Sequence, residues 1–160
     1  MRKKGFTLIE LLVAIGILAI LSTLVMANIN SARSRGRDAK RKADLNQVKT
    51  ALRLYYNDNQ SYPADDDAGG INGAGWGSQW TVSGNIYMNK LPQDPLYDAD
   101  DSPEWSYYYG QSNDDKYILK ACLENTNDPD SADFMQCSIQ NLGETASIDC
   151  ESACYIITQD

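Results

Sequence analysis

A chain of 160 residues has room for one ordinary domain plus an extended segment, and not for two cores. Its net charge of −8 hides a division at residue 53: 11 of the 14 Lys and Arg residues lie at or before Arg53, whereas Tyr55 to Asp160 carries three basic residues against 19 acidic ones, a net −16. That acidic surface repels nucleic-acid phosphates, and the absence of histidine removes Ser-His-Asp, Cys-His and imidazole-metal chemistry together.

The chain opens with Arg2, Lys3 and Lys4 in residues 1–5, followed by an apolar run over 6–27 whose only charge is Glu10. As a helix this run rises about 33 Å against a bilayer core of about 30 Å, which predicts a transmembrane anchor. A secretory signal ending near Ser22-Thr23 or Met26-Ala27-Asn28 is the competing reading, but it leaves a carboxylate inside the apolar run unexplained. Gly16 and Ala19, with Ala14 and Ala27, are small enough to let neighbouring helices approach.

Residues 28–57 read as a basic, amphipathic continuation of the same helix, about 50 residues in all. Leu45, Val48, Leu52 and Tyr55 recur at intervals of three and four, a single stripe suited to packing on a sheet. Asn28 to Gly36 is its weakest stretch, since Asn, Ser and Gly are poor in helix interiors. Arg33, Arg35, Arg37, Lys40, Arg41 and Lys42 form a basic cluster opposed only by Asp38. Lipid head groups, acidic heads of adjacent copies and DNA compete as its partners, beside a merely solvated face. A like-charged belt stacked in an assembly repels itself unless carboxylates neutralise it, which favours contact between subunits over lipid and disfavours nucleic acid.

Residues 58–160 read as an acidic globular head. Asp65 to Gly77 is loop-like, and its glycines lack the Lys and Ser/Thr of a phosphate cradle. Strands are expected over Trp105 to Tyr109 and Lys116 to Leu123, joined around Asn113-Asp114-Asp115, and over Ala153 to Thr158. The apolar face of this small antiparallel sheet would cover the helical stripe, an α+β arrangement. Asp65, Asp66 and Asp67, and later Asp94, Asp98, Asp100, Asp101 and Glu104, read as solvated acidic loops. They lack the oxygen-ligand spacing of a helix-loop-helix calcium site, so bound calcium is the minority alternative to no cofactor, and no catalytic pair is organised. Cys122, Cys137, Cys150 and Cys154 are even in number, which points to two disulfides in an exported chain; a four-thiolate zinc site is the weaker alternative. Antiparallel pairing of 117–123 with 153–158 would place Cys122 opposite Cys154 and leave Cys137 for Cys150, the pairing preferred among three.

Gly5-Phe6-Thr7-Leu8-Ile9-Glu10-Leu11-Leu12-Val13, preceded by Arg2-Lys3-Lys4, resembles the processing signature of type IV pilins and type II secretion pseudopilins. Leu54-Tyr55-Tyr56-Asn57-Asp58-Asn59-Gln60-Ser61-Tyr62-Pro63 is similar to the helix exit of that family, and Leu91-Pro92-Gln93-Asp94-Pro95-Leu96-Tyr97 to its Leu-Pro-x-Asp-Pro turn. The resemblance implies a pilin-like fold and a cut by a prepilin peptidase between Gly5 and Phe6. It also implies N-methylation at Phe6 and pairing of Glu10 with the Phe6 amino terminus of its own or a neighbouring subunit. The function implied is a non-catalytic subunit polymerising into a homo-oligomeric type IV pilus through its N-terminal helix, with assembly platform and ATPase supplied in trans. The localisation implied is single-pass in the cytoplasmic membrane, then a surface pilus or periplasmic pseudopilus. A major pseudopilin of type II secretion and an isolated, membrane-anchored adhesive protein are the alternatives. The cysteine-bearing tail departs from the aspartate-rich calcium loop of the secretion pseudopilins, which tilts the expectation towards the pilus.

Overall fold

The computed structural model describes residues 5–66, 70–97, 107–132, 150 and 153–159, without the side chains of 24–28. One helix, α1 (Leu8–Asn59), passes through two compact units, Met1–Gly36 and Arg37–Asp160. It starts where Thr7 and Glu10 satisfy the first turn and ends two residues beyond the expected boundary at 57. Gln60 there takes a left-handed φ of 56° and its N–H donates to the Tyr56 carbonyl at 2.8 Å. Tyr62-Pro63 follows directly, and a residue before proline disfavours helix.

In the first unit Phe6 and the apolar side chains of α1 are exposed, from Leu8 at 81% to Leu21 at 53%. Among the described residues, no helix is long and apolar enough to cross a membrane. The expected transmembrane anchor over 6–27, and the single-pass localisation built on it, are corrected accordingly. The run also carries the Glu10 carboxylate, a costly group in a hydrocarbon core.

In the second unit, β1 (Trp80–Val82) and β2 (Asn85–Met88) form a hairpin, while β3 (Tyr108–Asn113), β4 (Lys116–Leu123) and β5 (Ala153–Thr158) form an antiparallel sheet in the order β3-β4-β5. The β1–β2 hairpin was not foreseen. Its signal was present in Ser83-Gly84, whose φ values of 52° and 85° suit a two-residue turn matched to strand twist. β3 begins later than the Trp105 start expected for it and runs on to Asn113. The turn at Asp114-Asp115 sets Tyr108 opposite Lys120, and pairing runs through Gln111 and, past an irregularity, to Asn113 opposite Lys116; Trp105 itself lies outside the described residues.

β4 is buried from Tyr117 to Leu123, because it is central and covered on both faces. Tyr117, Leu119 and Ala121 share a core with Leu45, Val48 and Leu52 of α1 and with Ile157 of β5, and Tyr55 packs at its margin. Tyr55 stacks on Trp80 at 5.5 Å and meets Tyr87 edge-on at 5.1 Å, joining the hairpin to the helix. On the opposite face Cys122, Cys150 and Cys154 cluster with Ala132 and Ile156. Cys122 does stand opposite Cys154 in the register, yet it is bonded to Cys150, with Cα atoms 5.3 Å apart. The expected Cys122–Cys154 and Cys137–Cys150 pairs are therefore corrected. Cys150 approaches β4 from the segment preceding β5 and is the cysteine that meets Cys122 at bonding distance. Cys154 is also disulfide-bonded, and Cys137 lies outside the described residues.

Candidate functional site

Two groups of residues carry the chemistry, and each belongs to its own unit. At the start of α1, the Thr7 N–H and hydroxyl donate to the Glu10 carboxylate at 2.9 and 2.7 Å, and the Glu10 N–H donates back to the Thr7 hydroxyl at 3.3 Å. This is a capping box, whose local signal is the T-x-x-E spacing of Thr7-Leu8-Ile9-Glu10. It holds the Glu10 carboxylate against Thr7, the residue that precedes the helix; Gly5 and Phe6 before it are exposed. Around it lies a long apolar surface including Leu8, Ile9, Leu11 and Leu12. An exposed patch of that extent marks an interaction surface rather than a stray hydrophobe.

The basic cluster divides, its paired members Arg37, Arg41 and Lys42 lying in the second unit. Arg41 is fully buried and its guanidinium donates to both carboxylate oxygens of Asp94, at 2.7 and 3.0 Å, to Asp38 at 2.7 Å and to Glu124 at 2.8 Å. Arg37 forks onto Glu124 at 2.7 and 2.5 Å, while Lys42 bridges Asp128 and Asp130, the latter at 2.8 Å. Asp38 completes the network by accepting the backbone N–H groups of Glu124 and Asn125 at 3.0 and 2.9 Å. Burial would pull the Arg41 guanidinium down, but its hydrogen bonds to Asp94, Glu124 and Asp38 outweigh that and hold it above its ordinary value. Burial likewise pushes the Tyr107 hydroxyl up, aided by its 2.8 Å hydrogen bond to Asp44.

Three of the six basic residues thus neutralise acids of their own chain, whereas Arg33, Arg35 and Lys40 are exposed. Beyond Asp38, the partners Asp94, Glu124, Asp128 and Asp130 were not picked out from the sequence. Only Asp38–Arg41, at helical spacing i,i+3, had a local signal. Among the described residues no cluster of three or more His, Cys, Asp or Glu is arranged to hold a metal ion; Asp67, Asp98, Asp100, Asp101 and Glu104 lie outside the described residues.

The clasp has an acid limit. The hydrogen bond from Arg37 holds the Glu124 carboxyl below its ordinary value of 4.5, and that from Lys42 holds Asp128 below 3.8. Groups with depressed folded-state values contribute stability that is present above their unfolded values and lost as pH falls through the folded ones. Denaturant midpoints are expected to stay flat on this account near neutrality and to decline below about pH 4.5. Glu124→Gln should shrink that decline while lowering the neutral-pH plateau; an undiminished decline would show that the acid limit lies elsewhere.

Residues 1–26 match the family described as the prokaryotic N-terminal methylation motif. The type II secretion system core protein G of Pseudomonas aeruginosa is 33% identical over 101 residues, covering 59% of this chain and 68% of that one. Its counterpart in Aeromonas hydrophila is 33% identical over 97 residues with the same shares. The chain belongs to the type IV pilin and pseudopilin family. The type IV wide pilus major component PilA4 of Thermus thermophilus is also similar, at 43% identity over 65 residues, but the match covers 41% of this chain and half of that protein. No solved structure matches the chain. The pilin and pseudopilin architecture, a long N-terminal helix whose later part packs on a small antiparallel sheet, is the one found here, and the family consists of structural subunits rather than enzymes.

Proposed function

We propose that this chain is a pseudopilin, a repeating subunit of a type II secretion filament. The share of chain covered carries the reading: 59% against the core G proteins of Pseudomonas and Aeromonas, compared with 41% against the Thermus pilus component. A filament subunit also has use for the exposed apolar face of the first unit, which copies of the same helix can cover. The Cys122–Cys150 bridge suits an oxidising compartment. Before assembly, a prepilin peptidase supplied in trans cuts between Gly5 and Phe6 and methylates Phe6. The new ammonium group then lies close in sequence to the carboxylate of Glu10. Platform and ATPase are likewise supplied in trans.

Deleting the gene in its host tests the assignment. Export of folded type II substrates should stop, surface pili should persist, and plasmid-borne wild type should restore export. Filaments purified from the complemented strain should contain a subunit lacking Met1 to Gly5 and carrying one added methyl group. Loss of surface pili with intact export would transfer the chain to the type IV pilus, the reading favoured by its likeness to the Thermus protein.

A further inference from the structure

Lys40 on α1 and Lys90 ahead of the Leu91-Pro92 turn flank a groove of about 460 Å³ in the second unit, lined also by Asp44, Gln47, Gln93 and Asp94. Both lysines are exposed, and among the described residues neither has a carboxylate partner, in contrast to Arg37, Arg41 and Lys42. The two acids of the groove are already engaged, Asp44 by the Tyr107 hydroxyl and Asp94 by the Arg41 fork. With Asp94 paired to Arg41, two lysines stand against the single acid Asp44, so the groove's net offer to a visitor is positive charge. This is unusual on a head whose Tyr55 to Asp160 segment carries only three lysines against 19 acids.

The complementary feature lies at the other end of the same unit. The turn between β3 and β4 presents Asp114 and Asp115, both exposed. Its backbone is pinned by the Tyr62 N–H donating to the Asp114 carbonyl at 2.7 Å, and Asp115 accepts the Tyr56 hydroxyl at 2.7 Å. The Asp114 carboxylate, with no ion pair among the described residues, thus stands on a tip ordered before any contact is made, which lowers the entropic cost of docking. Tyr56 follows Lys40 by about 24 Å along the helix axis, so groove and tip are separate patches of one chain. A contact between different patches of identical molecules is heterologous and propagates into an open assembly unless its rotation closes a ring.

We propose that the groove between Lys40 and Lys90 receives the β3–β4 tip carrying Asp114 from a second copy of this chain. The proposal rests on the filament reading above and gives it a specific head-to-head-group contact. Exposed Lys116 follows the two aspartates, so the tip is a patterned surface and not merely an acidic one.

Filaments assembled from mixed isotopically light and heavy copies, treated with a zero-length carbodiimide, should yield a hybrid-labelled peptide joining Lys40 or Lys90 to Asp114. Asp114→Asn should abolish that peptide. Filament yield at low salt should fall about tenfold in K40Q/K90Q and in D114K, the equivalent of about 1.4 kcal/mol per added subunit. Combining D114K with K40E/K90E should restore it. Links from these lysines only to other acidic segments, or failure of the reversed pair to rescue, would overturn the proposal. If the wild type forms no filaments at all, the filament reading fails separately. The same link is then sought between purified full-length chains at high concentration, where its presence upholds the contact and its absence overturns it.

Discussion

Replacing Arg41 by methionine is expected to destabilise the second unit by about 3–5 kcal/mol, the usual cost of deleting one member of a buried ionic network. Methionine preserves the apolar length of the side chain but leaves four carboxylate oxygen contacts, on Asp94, Asp38 and Glu124, without the guanidinium. Glu124 retains Arg37, and Asp38 retains two backbone N–H donors. The greatest loss therefore falls on Asp94, which is buried and keeps the Leu96 N–H at 2.8 Å. Against a total of about 5–15 kcal/mol for a typical domain, about a fifth or more of the stability is at stake. Arg41→Lys should fall in between, since an ammonium keeps the charge but cannot fork across Asp94 while also reaching two further acids. Trp80, fully buried against Tyr55, makes the fluorescence change on denaturant unfolding a direct readout of this unit. A loss below about 1 kcal/mol would put Arg41 in the range of ordinary surface pairs and refute its central place in the clasp.

Replacing Glu10 by glutamine should leave that unfolding curve unchanged while reducing filament number by about a hundredfold or more. The argument depends on the proposed cut before Phe6, which creates an ammonium group near the Glu10 carboxylate. Among packed apolar helices an unpaired ammonium is costly, about 3–5 kcal/mol for a broken buried pair, and that penalty recurs at each added subunit. The capping box supplies the control. Thr7→Ala removes hydroxyl contacts to Glu10 but keeps its charge, at a typical local cost of about 1 kcal/mol. Filament counts at equal subunit levels should therefore rank wild type above T7A and T7A well above E10Q. Equal losses in T7A and E10Q would reduce the role of Glu10 to helix capping, and normal counts in E10Q would falsify its part in assembly.

Local pattern was enough to locate α1, the stripe through Leu45, Val48 and Leu52, and the strands at Lys116–Leu123 and Ala153–Thr158, because periodicity and turn residues report which face must be buried. The N-terminal register likewise carried the family, since basic leader, glycine and glutamate are neighbours along the chain. Tertiary structure alone decided where the basic cluster finds its countercharge. Arg37 and Glu124 are separated by 87 positions and Arg41 and Asp94 by 53, and no local spacing records such pairs. It also decided the disulfide: strand register placed Cys122 opposite Cys154, but bonding depends on which sulfur approaches, and Cys150 comes in from the segment ahead of β5. Hydrophobic periodicity expresses a demand for burial that each residue makes alone, whereas ion pairs and cross-links are properties of two residues that only folding brings together.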